Sequence, residues 1–126
     1  MRAVNVLLFE GFTTMDALGP AETLSRALDG GRKCYEIEYF SATGGLVGSS
    51  TSAKIWTRKL SEIAKFDVLL VPGGFAARKL AHNSEFIAAL CELARRHEYV
   101  IAVCTGSVLL AKTGFLGGME ATSNKL

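Results

Sequence analysis

Val103-Cys104-Thr105-Gly106-Ser107 sets a cysteine between an apolar run, Tyr99 to Val103, and a helical pattern that starts at Thr105. This is the layout of a nucleophile elbow, in which a sharp turn lifts the reactive side chain above a sheet beside backbone N–H groups. The positive end of the following helix would favour thiolate over thiol. A cysteine also serves as a small buried hydrophobe, but its position after a strand and before a glycine-containing turn favours a functional thiol. A second apolar run, Asp67 to Val71, ends sharply at Pro72-Gly73-Gly74. Two glycines allow close backbone approach, so the Gly74 N–H and the Thr105 N–H are expected to form a two-donor hole for developing negative charge. Alone, such a glycine pair signals only a turn. Glu10 and Asp16 follow the first apolar run, Val4 to Phe9. Either could accept a hydrogen bond from the thiol or act as general acid or base. Asp16 equally suits the first turn of a helix, and Glu10 must be either solvated or paired.

The remaining reactive side chains point elsewhere. Cys34 begins a strand and Cys91 lies on an apolar-striped helix, so both read as packing residues. His97 precedes a strand and falls at the wrong end of a sheet for chemistry, and His82 reads as a surface residue in a loop. No Cys/His/Asp spacing suggests a metal site, and no Gly-x-Gly-x-x-Gly or phosphate-loop pattern is present. No cofactor is expected.

The elements that must position these residues alternate. Val4–Phe9, Tyr35–Phe40, Asp67–Val71 and Tyr99–Val103 read as strands, the first, third and fourth fully buried. Thr13, Thr14 and Asp16 offer cap chemistry to a helix reaching Leu28, which Gly19-Pro20 should interrupt and Gly30-Gly31 should stop. Residues 43–53 suggest a hairpin or loop, Lys54–Thr57 a short strand and Ser61–Lys65 a helical turn. Asn83-Ser84-Glu85 caps a helix with Phe86, Ile87, Leu90, Leu93 and Ala94 at helical spacing. Residues 105–112 read as the helix after Cys104, and 115–122 as a return toward another strand. Strands alternating with helices imply a mostly parallel sheet covered on both faces. Ligands gather at the carboxyl ends of such strands. The loops 10–16, 72–75 and 104–107 share that address.

At 126 residues the chain is expected to form a single domain, 1–126. A net charge of +2 with scattered Lys and Arg gives no support to nucleic-acid binding. No stretch approaches the roughly 18 apolar residues of a membrane span. Three irregularly spaced cysteines argue against a disulfide framework and for a reducing cytoplasm.

Three segments, FEGFTTMDALGPAETL, DVLLVPGG and VCTGSVLLAKTGFLGGMEATSNK, resemble the ThiJ/PfpI superfamily, proteins related to class-I glutamine amidotransferases. The MD-x-x-GP form of the first looks most like the isonitrile hydratase branch. The resemblance implies a flavodoxin-like three-layer sandwich, a homodimer and a small-molecule substrate. It makes Cys104 the nucleophile, Gly74 and Thr105 the backbone donors, and Asp16 the acid beside the thiol, with Glu10 near the acid other branches use. Many members carry a His where this chain has Asn124, so a Cys–His dyad is not implied. Members usually continue further, so the family's C-terminal segment is expected to be lacking here. The implied activity is that of a cysteine-dependent lyase or hydrolase acting on a small electrophilic carbon. The alternatives are a redox- or ligand-sensing module using Cys104 and an inactive family member.

Overall fold

A computed structural model describes residues 1–118. The strands are β1 (Arg2–Leu7), β2 (Leu28–Asp29), β3 (Arg32–Lys33), β4 (Tyr35–Ser41), β5 (Gly45–Gly48), β6 (Lys54–Lys59), β7 (Val68–Val71) and β8 (Tyr99–Ala102). The helices are α1 (Thr14–Ser25), α2 (Ala76–Leu80), α3 (Ser84–Arg96) and α4 (Gly106–Lys112), with a 3₁₀ turn at Leu60–Glu62. Six strands form one sheet in the order β5-β6-β4-β1-β7-β8. All its pairings are parallel except β5 with β6. The expected α/β architecture, a mostly parallel sheet flanked by helices, is therefore present.

Alternation along β1 separates the two faces. Asn5 reaches His97 at the end of α3 and Leu7 lines a cavity with α3 residues, so these two point to the α3 face. Val4 and Val6 point the other way, where α1 packs over β1 and β4. Both valines are fully buried, as are Leu69, Leu70 and Val71 of β7. These residues form the centre of the core, to which α3 adds Leu90, Leu93 and Ala94. Its start is held as its sequence suggests, the Asn83 side chain accepting from the Phe86 N–H at 3.1 Å.

Three expectations change. Pro20 does not interrupt α1, which runs unbroken to Ser25; only the bond from its missing N–H to the Asp16 carbonyl is forgone. The helix stops before Leu28 because β2 and β3 form a small hairpin, with Gly30 and Gly31 at φ 57° and 81° in its turn. The strand β8 is not buried: Tyr99 and Ile101 are 55% and 37% exposed. Register puts Tyr99 beside Val68 and Ile101 beside Leu70, on the α1 face, where α1 covers β1 and β4 instead. A second exposed pair, Leu46 and Trp56, sits directly opposed across β5 and β6. The predicted return toward a strand over 115–122 begins as turns to Gly118 and otherwise lies outside the described residues.

Candidate active site

Three loops converge at the carboxyl ends of β1, β7 and β8. The Thr13 N–H donates to the Gly73 carbonyl at 2.9 Å, joining the first loop to the second. The Gly74 N–H donates to Thr105 Oγ1 at 2.9 Å, and that hydroxyl donates to the Gly74 carbonyl at 3.2 Å, joining the second to the third. Side chains at the crossing would prevent it. A Cβ on Gly73 would stand 2.5 Å from Thr105 Oγ1 and 2.7 Å from its backbone nitrogen. A Cβ on Gly106 would press into the Val71 carbonyl oxygen and lie 2.9 Å from that of Pro72. The glycines therefore let the loop backbones stack directly on one another.

Cys104 sits on this crossing with φ 54°, a left-handed conformation that costs a non-glycine residue roughly 1–2 kcal/mol. Thr105 then turns into α4, with the Gly106 N–H donating to the Val103 carbonyl at 2.9 Å. Strand, left-handed cysteine and helix in succession make up the predicted elbow, and the cysteine is exposed. A strained residue held by tight surroundings is a common mark of a functional position.

Asp16 lies in the first turn of α1. Its Oδ2 is buried and has no hydrogen-bond partner among the described residues. The same Gly73 Cβ position that touches Thr105 is 3.1 Å from Asp16 Oδ2, so this oxygen, Thr105 and Gly73 meet at one point. Buried polar atoms are nearly always paired, and an orphaned one calls for a reason.

The structure gathers Asp16, Gly74, Thr105 and Cys104 but not Glu10. The Glu10 carboxylate accepts from the Gly48 N–H at 3.1 Å, at the end of β5. It lines a cavity of about 540 Å³ with Leu7, Phe86, Leu90 and Leu93, whose walls include neither Asp16 nor Cys104. The Gly74 N–H, expected to point into the pocket, is engaged by Thr105. The close approach at Gly73 follows the sequence reading of its glycine pair, whereas the Thr105 hydroxyl and the close approach at Gly106 were missed. The glycine directly after Cys104-Thr105 was the available signal, since only a glycine fits where backbones touch. Among the described residues, no group of three His, Cys, Asp or Glu could hold a metal, and no helix is long and apolar enough to cross a membrane.

The DJ-1/PfpI family model matches residues 2–126. The chain belongs to the DJ-1/PfpI family. A protein from the cpoL 5′ region of Streptomyces lividans is 36% identical over 96% of this chain and 86% of its own length. The isonitrile hydratase of Pseudomonas putida is 28% identical over 96% of this chain and 51% of its own. A ThiJ/PfpI family protein from Pseudomonas syringae superposes with a TM-score of 0.83 at 27% identity, covering 97% of this chain and 50% of that one. The chain thus spans about half the length of those last two relatives. The mostly parallel sheet with its helices is the fold of these relatives, as the three sequence segments implied.

Proposed function

We propose that this DJ-1/PfpI chain carries a cysteine-nucleophile site that hydrates a small electrophilic carbon, with an isonitrile as the model substrate. The observation that carries the reading is the buried, unpartnered Asp16 Oδ2 beside the left-handed Cys104 turn. The likeness to isonitrile hydratase supports the choice of substrate class. In this scheme Cys104 Sγ adds to the terminal isonitrile carbon, forming a C–S bond as that carbon gains a proton. Asp16 delivers the proton and is recharged from the thiol, giving a thioformimidate. Water adds to the same carbon, the nitrogen takes up a proton, and the C–S bond breaks to return the thiol. The net change is isonitrile plus water to an N-substituted formamide. The Thr105 backbone N–H holds charge during addition, and its hydroxyl steadies the Gly73-Gly74 loop.

The test is formamide production from an alkyl isonitrile, followed by chromatography, for the wild type, Cys104→Ser and Asp16→Asn. Turnover that falls at least about 100-fold in both variants supports the scheme. Asp16→Asn should keep stability within about 1 kcal/mol of wild type, because the amide has the same shape and Asp16 Oδ2 has no hydrogen bond to lose. No turnover by the wild type, or full turnover by Asp16→Asn, overturns it. Stable oxidation of Cys104 by mild peroxide without any hydration would point to the sensing alternative.

A further inference from the structure

At the opposite ends of the same strands lies a second buried polar cluster, centred on His97. The residue is 6% exposed and Asn5 is 3% exposed. His97 Nδ1 is 2.7 Å from the Leu93 carbonyl. A carbonyl only accepts, so Nδ1 carries the hydrogen and Nε2 presents a lone pair. The Asn5 Nδ2 group lies 2.9 Å from that Nε2 and also donates to the Lys65 carbonyl at 2.8 Å. Each donor therefore meets an acceptor, and the cluster ties β1 to the end of α3 and to the segment entering β7. Phe66 packs edge-on against the imidazole, with ring centroids 5.2 Å apart.

We propose that His97 is an acid-sensitive latch: neutral, it clamps β1, α3 and the approach to β7 together, and protonated, it breaks one of Asn5's two bonds. The proton would go to Nε2, where it faces the Asn5 amide hydrogens, donor against donor. Turning the amide presents Oδ1 to His97 but sets that same oxygen against the Lys65 carbonyl, acceptor against acceptor. No rotamer of the amide satisfies both neighbours of a protonated ring.

The charged groups around the ring are committed elsewhere or offset one another. Arg96 stacks its guanidinium 3.8 Å from the Phe66 centroid and opposes a second positive charge. Asp67 favours one, yet its carboxylate already accepts from the Ala3 N–H at 2.8 Å. The Lys65 ammonium donates to the Met1 carbonyl at 2.6 Å, and Glu98 pairs with Arg2 at 3.3 Å. Burial is the largest influence and pushes His97 below its ordinary value. A histidine with a depressed folded-state value contributes stability that is complete above about pH 6.5, the unfolded value. That stability is lost as the pH falls from there through the folded value.

The test combines urea unfolding between pH 7.5 and 5 with long-range ¹H–¹⁵N correlation spectra of the histidine rings. The folded protein should show His97 as the Nδ1–H tautomer, titrating below the ordinary histidine value of about 6.5. Its unfolding equilibrium constant should rise by up to tenfold per pH unit below 6.5. His97→Gln should lose that component of the slope, whereas His82→Gln should keep it. If His97→Gln fails to fold, the wild-type spectra decide alone. An Nε2–H tautomer, a His97 titration at or above 6.5, or an unchanged slope in His97→Gln overturns the latch.

Discussion

At the amino ends of β1, β7 and β8, His97, Asn5 and the Lys65 carbonyl satisfy one another, whereas at the carboxyl ends Asp16 keeps a buried oxygen with no partner among the described residues. The first end also has helical and extended backbone of the ordinary kind. The second holds Cys104 at φ 54° over a crossing that tolerates no side chain at Gly73 or Gly106. Both ends bury polar atoms on the same three strands, so burial alone does not mark a site. What separates them is completeness: one network closes on itself, and the other leaves a buried carboxylate oxygen unpaired among the described residues. This is the pattern expected where a fold gives up local stability for chemistry.

The contrast is testable, beginning with its largest effect. Gly106→Ala should destabilise the chain by about 3 kcal/mol, because the new methyl meets two backbone carbonyls that have no room to yield. Urea unfolding measures that loss, and alkylation of Cys104 should slow with it because the elbow is displaced. An alanine variant as stable as wild type would mean the loops are not packed as described. Asn5→Ala, at the satisfied end, should cost about 2 kcal/mol by orphaning His97 Nε2 and the Lys65 carbonyl. Here Cys104 alkylation should stay at the wild-type rate, and a change would show that the two ends are coupled. The smallest effect concerns strain: Cys104→Gly should be more stable than Cys104→Ala by about 1 kcal/mol, since only alanine must hold the left-handed backbone. Equal melting temperatures for the two would remove the strain from the comparison.

Much of this arrangement was legible beforehand. The run Asp67–Val71 followed by Pro72-Gly73-Gly74 announced β7 and its close-packed turn, and Tyr99–Val103 before Cys104 announced the elbow. Asn83 announced the start of α3. Two kinds of information were not local. An apolar run does not say where its strand sits in the sheet: β7, read as buried, lies between two strands and is buried throughout. The equally apolar β8 borders it with Tyr99 and Ile101 exposed. Nor does the sequence say which of two acids near one loop turns inward. Asp16 is carried into the crossing by the first turn of α1, while Glu10, six positions earlier, is drawn off by the Gly48 N–H. His97 was placed at the correct end of the sheet, but its bond to Asn5 joins positions 92 apart and left no trace in either segment.

The exposed pair on the β5–β6 hairpin has a practical consequence. Trp56 is the only tryptophan in the chain and is 70% exposed on the folded protein. Its indole is already largely in water on the folded protein, so intrinsic fluorescence is expected to shift little when the core melts, and circular dichroism or the ring protons should follow unfolding instead. The same indole, beside Leu46 on an open sheet face, becomes a built-in optical probe. A blue shift in its emission under native conditions would signal that something has settled on that face.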